Sequence, residues 1–339
     1  MIRIAVIGAG RWGPNLLRNL HDRPRSEVTW VADVDTSRLS RIRAAYPDIQ
    51  TTADLSAVTR DPAVDAVVVA SPTRTHFAIA KEALLAGKHV LVEKPLTTSV
   101  AEGEALCELA GREKRILMVG HVFLYNAAVR RAREYLDEGS LGRLYYLSMT
   151  RTNLGPIRAD VNAAWDLAAH DISIAHYWLS QAPVAVSAQG GSWINPGVED
   201  AVFATLRYGD GVLANLHTSW LHPRKSREIA AIGERRMLTF DDMNLLEPLR
   251  LYDRQVTDER SSAGLVDSFG QFRASIREGD IVIPKVVNGE PLRAECEEFR
   301  ACVETGRTPL SDGPLGVAVV RVLEAIQRSI KGGGREEAV

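Results

Sequence analysis

Six strand-forming residues, Ile2–Ile7, run without a break into Gly8-Ala9-Gly10-Arg11-Trp12-Gly13 and then into "PNLLRNLHDR", whose apolar residues recur at helical spacing. Few folds accept a strand, a glycine turn and a helix packed so tightly in order. In a GxGxxG turn the first glycine permits the reversal, the second lets the backbone approach a pyrophosphate, and the third lets helix and strand pack closely. The helix N-terminus then faces the anion. Gly8, Gly10, Arg11, Trp12 and Gly13 are therefore the first candidate binding residues.

The flanks extend the pattern. "EVTWVADVD" reads as a second strand reaching Asp33, twenty residues beyond Gly13, where a carboxylate accepts hydrogen bonds from an adenosine ribose. Such a carboxylate repels a 2′-phosphate, so NAD is favoured; Arg38 leaves NADP open, and Asp35 competes with Asp33 for the role. "VDAVVVASP" (64 to 72), "KHVLVEKP" and "RILMVGH" are further apolar strands, each separated from the next by one helical segment. Single-helix connections imply parallel pairing and right-handed crossovers. Residues 1–122 are thus expected to form a doubly wound parallel sheet of Rossmann type. Pro95 lacks a backbone N–H and ends the "HVLVE" ladder, which leaves Glu93 and Lys94 at the sheet edge where ligands collect. Ser71, Pro72 and Thr73 end the preceding strand at the same edge, and His76 opens the next helix beside the expected nicotinamide position.

A chain of 339 residues exceeds one typical core and suggests two domains. With 41 basic and 43 acidic residues the formal charge is −2, without a basic tract suited to nucleic acid. Cys107, Cys296 and Cys302 lack metal-ligand spacing and are expected as free thiols; no metal site is foreseen. The N-terminus enters a strand at once, without the regions of a signal peptide, and no apolar run reaches membrane-spanning length, so a cytoplasmic protein is expected.

Past His121 the texture changes. "NAAVRRAREYLDEGSLG" reads as an amphipathic helix and "RLYYLSMTRTN" as a strand. "VAVSAQGGSWI", "DAVFATLRY", "GVLANLHTSWL", "REIAAIG" and "RMLTF" follow as strands with turn signals between them. Residues 123–339 are expected to form a second domain on a largely antiparallel sheet, with the substrate in the cleft between the two domains. Within it, residues 165–180 place Leu167, Ile174, Ala175, Trp178 and Leu179 on one apolar helix face, and Asp166, His170, Ser173 and Tyr177 on roughly the opposite one. The i, i+4 spacing lets Asp166 and His170 project together, as a proton-handling pair or as an ordinary solvated face. Asp171 falls in the apolar arc and needs a partner there. Arg224 and Lys225 in the "PRKSR" turn are candidates for a substrate phosphate or carboxylate.

"VIGAGRWG", "ADVD", "ASPTRTH", "AGKHVLVEKPL" and "WDLAAHD" together resemble the Gfo/Idh/MocA family, the glucose-fructose oxidoreductase and inositol dehydrogenase group, in order and over essentially the whole chain. The resemblance implies that Lys94, Asp166 and His170 meet at the nicotinamide, that residues 123–339 are an α/β substrate-binding and oligomerisation domain built on an open, largely antiparallel sheet, and that homodimers or homotetramers form through that sheet. "GHVFLYN" and "TNLGPIRADVNAAWDLAAHDISI" look most like the branch acting on nucleotide-linked amino sugars, which oxidises the 3-hydroxyl of UDP-N-acetylhexosamines or their uronic acids. In that reading His121, Tyr125, Asn153, Arg224 and Lys225 contact the sugar. His170 serves as base and Lys94 stabilises the alkoxide, or Lys94 is itself the base. An inositol, aminocyclitol or other free-polyol dehydrogenase is the competing enzyme, and a non-catalytic NAD-sensing regulator the competing non-enzyme.

Overall fold

The computed structural model describes residues 1–21, 25–159, 161–253, 255–256, 276–277, 279–287 and 289–339. The chain forms two compact units, Met1–Asn126 with Gly289–Glu324, and Ala127–Asn288 with Ala325–Val339.

The first unit is a parallel six-stranded sheet in the order β3-β2-β1-β4-β5-β6. Its strands are β1 (Ile2–Ile7), β2 (Ser26–Ala32), β3 (Gln50–Thr52), β4 (Ala66–Val69), β5 (His89–Glu93) and β6 (Leu117–Gly120). Strands β4 and β6 are wholly buried, as expected for runs covered on both faces by helices. The order reverses between β1 and β4, and at that switch point both the glycine turn after β1 and the Ser71 loop after β4 emerge. Strand β3 was not foreseen: its three residues, Gln-Thr-Thr, carry no apolar run and form the sheet edge.

The expected division at residues 122 and 123 does not include a return of the chain to this unit after Gly289. Helix Pro291–Thr305 buries Leu292, Cys296, Phe299 and Cys302 at helical spacing and packs against helix Gly13–Leu20 and the turn Val122–Tyr125. Gly313 and Gly316 lie so close to β6 that an added Cβ would stand 2.9 Å from Leu117 and 2.6 Å from Val119. Apolar burial over a long sequence separation draws this segment back, and local periodicity does not reveal its destination.

The second unit carries a nine-stranded sheet, antiparallel except where Leu144–Leu154 pairs in parallel with Leu213–Ser219. Five strands, Ala185–Gly191, Ala201–Arg207, Leu213–Ser219, Leu221–Gly233 and Met237–Asp241, fall on the segments read from alternation. The "PRKSR" segment is strand rather than turn: it lies in Leu221–Gly233, where the register against Leu144–Leu154 shifts between Leu221 and Ser226. Among the described residues no helix is long and apolar enough to cross a membrane, and no group of His, Cys, Asp and Glu is arranged to hold a metal.

Candidate active site

Gly8 has φ 103°, and a Cβ there would lie 2.6 Å from the carbonyl carbon of Ala70. At Gly13 a Cβ would stand 1.9 Å from the Gly8 carbonyl oxygen, so this helix can start against the strand only with glycine. Gly10 differs, since only the Arg38 guanidinium comes within 4 Å, at 3.6 Å. Its backbone is open to a ligand, and a side chain would fill that space. Arg11 and Trp12, both exposed, flank the opening. This cradle and the acidic group beside it fit a dinucleotide.

Asp33 is that group. It is buried after β2; Oδ2 accepts the Ala9 N–H at 2.6 Å and Oδ1 accepts the Asp35 N–H at 2.8 Å. Asp35 is the N-cap of helix Thr36–Ala45 and accepts from the Ser37 N–H at 2.9 Å and from its hydroxyl at 2.6 Å. The Ser37 hydroxyl bond holds the Asp35 carboxyl below its usual range. Capping therefore occupies Asp35, and Asp33 faces the glycine turn. Arg38 spans both carboxylates, 3.4 Å from Asp33 and 3.2 Å from Asp35. Asp33→Asn keeps the acceptor for Ala9 but removes the charge that repels a 2′-phosphate and ties Arg38. We expect NADP affinity to rise at least about tenfold relative to NAD, a change of ~1.4 kcal/mol. Calorimetric titration of both nucleotides checks this, and an unchanged ratio would remove Asp33 from cofactor selection.

The Ser71-Pro72-Thr73 loop closes on itself through Ser71 Oγ and Thr75 Oγ1, 2.7 Å apart. His76 departs from its expected role. It is 1% exposed, with Nδ1 3.0 Å from the Pro95 carbonyl and Nε2 2.9 Å from the Ser71 carbonyl. Burial lowers its pKa, and a neutral ring donates to one of these carbonyls only. His76 ties the Ser71 loop to the segment after Lys94 and is not open to a cofactor.

Lys94 follows β5, which pairs in parallel with β4 and β6, and is half-buried. Glu93 is also half-buried, with its carboxyl turned inward: it accepts the Lys94 N–H at 3.2 Å and a hydrogen bond from Trp12. Its carboxyl lies 3.2 Å from where a Cβ on Gly120 would stand. Burial raises the Glu93 pKa to about 7, against the lowering influence of the Lys94 charge and these hydrogen bonds. Two expected sugar contacts in this unit are corrected. His121 is fully buried at the end of β6, and Tyr125 is 4% exposed with its hydroxyl 3.0 Å from the buried Ser311 Oγ. Both are buried because the chain that returns after Gly289 covers β6, the outer strand of the sheet, with Gly313 and Gly316 set against Leu117 and Val119.

In the second unit Asp166 lies in a π-helical turn, Ala164–Ala168, that continues as the α-helix Ala169–Leu179. A π turn inserts extra rotation, so the helical wheel drawn from the sequence shifts in phase at this point. Ser173, expected on the polar face, is fully buried and donates to the His170 carbonyl at 2.7 Å. Asp166 Oδ1 is 3.3 Å from Arg158 Nη1, and Oδ2 accepts from the buried Trp220 Nε1 at 3.2 Å. His170 is half-buried one turn on. Asp171 is buried as its arc position implies, and its partner is Arg151, whose Nη2 and Nε lie 2.7 and 2.9 Å from Oδ1.

The remaining expected contacts are less constrained. Asn153 donates to the Gly155 carbonyl, while Arg224 and Lys225 are exposed, with Arg224 paired to Glu228 at 3.1 Å on the same strand. An exposed i, i+4 pair of this kind is worth little. Three residues escaped the sequence reading. Arg158 and Trp220, which hold Asp166, carried no local signal. Glu295 did carry one, as a carboxylate within the buried stripe of helix Pro291–Thr305.

Residues 2–121 match the model of an oxidoreductase family with an NAD-binding Rossmann fold, and residues 129–239 match the GFO/IDH/MocA C-terminal domain. The UDP-N-acetylglucosamine 3-dehydrogenase of Acidithiobacillus ferrooxidans is 27% identical over 94% of either chain. Inositol 2-dehydrogenase 2 of Paenarthrobacter aurescens is 32% identical over 63% of this chain and 68% of its own. The crystal structure of GenD2 from gentamicin A biosynthesis, in complex with NAD, superposes with a TM-score of 0.82 at 25% identity, covering 100% of this chain and 96% of that one.

Proposed function

Since the chain belongs to the Gfo/Idh/MocA family of NAD-binding oxidoreductases, we propose that it interconverts a secondary alcohol and a ketone on a nucleotide-linked amino sugar. NAD, with its pyrophosphate at the glycine turn and its nicotinamide near Ser71 to Thr73 and Lys94, would supply the hydride acceptor. Lys94 hydrogen-bonds the reacting hydroxyl and stabilises its developing negative charge. His170 takes the hydroxyl proton on an imidazole nitrogen, a group whose unperturbed pKa suits neutral conditions. Asp166, held by Arg158 and Trp220, orients the substrate and tunes His170.

The observation that carries this reading is the likeness to a UDP-N-acetylglucosamine 3-dehydrogenase along nearly the full length of both chains. A free-polyol substrate is the second reading, favoured by the higher identity to an inositol 2-dehydrogenase over a shorter span. A panel of UDP-N-acetylglucosamine, its uronic acid, myo-inositol and scyllo-inositol, followed by NADH absorbance, separates the two. We expect kcat/KM for a UDP-linked sugar to exceed that for either inositol at least about a hundredfold, equivalent to ~2.7 kcal/mol of discrimination. The reverse order would overturn the nucleotide-sugar reading, and NAD binding without turnover of any compound would favour the regulator.

Self-association through the open sheet accords with the exposed Tyr146, Leu213 and Phe203 on one face of it, with Phe203 stacked on His217 at 4.5 Å. Light scattering that gives a monomer mass at working concentration would refute it.

A further inference from the structure

The loop between strands Ala185–Gly191 and Ala201–Arg207 closes on itself. The Asp200 N–H donates to the Gly191 carbonyl at 2.8 Å, and the buried Asp200 Oδ2 accepts the Trp193 and Ile194 N–H groups at 2.6 and 2.8 Å. Both groups that hold Asp166 are tied to this loop. The Asn195 amide donates to the Arg158 carbonyl at 3.3 Å, and the Arg158 guanidinium meets Asp166 Oδ1. The Trp220 N–H donates to the Asp200 carbonyl at 2.9 Å, and the Trp220 indole meets Asp166 Oδ2. A third tie comes from Glu199, whose carbonyl accepts the Ala163 N–H at 2.9 Å and whose carboxylate accepts from Asn162 Nδ2 at 2.6 Å, just before the π turn.

This anchored loop presents Trp193, which is 66% exposed. The side chain is nonetheless held in place, for its ring lies so close to the Gly191 backbone that an added Cβ there would collide with Cζ2, Cη2 and Cζ3. Ile194 beside it is exposed, and so are Leu154 and Ile157 on the segment that leads into Arg158. A large apolar ring fixed in water is unfavourable for the free protein and favourable for a flat ligand, which then binds a surface already ordered. We propose that Trp193 is a substrate-binding residue on which the base of a nucleotide-linked sugar stacks, carried by the same loop that sets Asp166 for the sugar. This rests on the nucleotide-sugar reading and assigns a source to its discrimination, since a free polyol has no base to stack.

Titration of the NAD-loaded protein with UDP alone tests the assignment without turnover. Trp193→Ala should weaken UDP binding, read by calorimetry, at least about tenfold, the scale of loss when a ring stacked on a base is removed. Trp193→Phe keeps a ring, so its affinity should stay within about threefold of wild type, while the quenching of tryptophan fluorescence by UDP disappears. Gly191→Ala displaces the indole without removing it and should also lose UDP affinity. In steady-state kinetics with UDP-N-acetylglucosamine, Trp193→Ala should raise KM at least about tenfold and leave kcat within about twofold, because the ring acts on the base and not on the reacting carbinol. Equal UDP affinity in wild type and Trp193→Ala would overturn the stacking role. So would a Trp193→Ala protein that binds UDP normally but has a lower mass by light scattering, which would make the ring a contact between copies. Turnover of UDP-N-acetylglucosamine with an unmoved KM overturns the stacking role alone and leaves the nucleotide-sugar reading standing. A wild type that neither binds UDP nor turns over a UDP-linked sugar overturns both.

Discussion

Replacement of Lys94 by alanine is expected to lower kcat for NAD-linked oxidation of UDP-N-acetylglucosamine by roughly 10³-fold, with NAD affinity changed less than about threefold. The asymmetry follows from where the residue stands. In the proposed reading the glycine turn and Asp33 hold the adenosine and pyrophosphate parts and are untouched by the change, whereas the ammonium that follows β5 acts only on the reacting oxygen. Parallel pairing of Glu93 with Gly120 in the neighbouring strand fixes the backbone that delivers it. Lys94→Arg keeps the charge but changes its shape and reach, so it should recover only part of the rate. Stopped-flow and steady-state kinetics with calorimetry read both quantities. A Lys94→Ala enzyme with wild-type kcat would remove the residue from the chemistry.

Arg151→Ala is expected to destabilise the second unit by about 3–5 kcal/mol, because it strands the Asp171 carboxylate in a site with 1% exposure. Both Arg151 nitrogens bond one oxygen of Asp171, and Oδ2 has no hydrogen-bond donor among the described residues, so removal of the guanidinium takes away the hydrogen bonds that hold this carboxylate. Burial raises the Asp171 pKa while Arg151 pulls it down, and loss of the guanidinium leaves burial in control. The double change Arg151→Met with Asp171→Leu should recover most of the loss, since replacing both charges by apolar groups removes the desolvation penalty. Thermal unfolding checks this, with a drop of roughly 10 °C for the single variant. A single variant as stable as wild type would mean that water reaches the stranded carboxylate. The pair matters beyond stability, because it pins the helix that carries His170 to the strand Leu144–Leu154.

The candidate site was readable where chemistry depends on sequence-local geometry. The glycine spacing and the Lys94-Pro95 strand end are set within a few residues and Asp33 follows at a fixed interval, although the crowding that demands glycine at residue 8 comes from Ala70, remote in sequence. Side chains whose role depends on distant neighbours were misjudged. Nothing beside His76 in the chain shows that the carbonyls of Ser71 and Pro95 will enclose its ring. Tyr125 became a core residue only because Ser311, far along the chain, meets its hydroxyl.

From order and periodicity alone came a parallel nucleotide-binding sheet and a largely antiparallel second sheet, because each is a short-range consequence of backbone sterics and side-chain spacing. Tertiary structure alone decided the return of the chain after Gly289, the π turn at Asp166, the ion pair next to His170 and the burial of Glu295. Those features arise from desolvation and packing between segments remote in sequence, and the free energy of a buried charge depends on neighbours that no local pattern names.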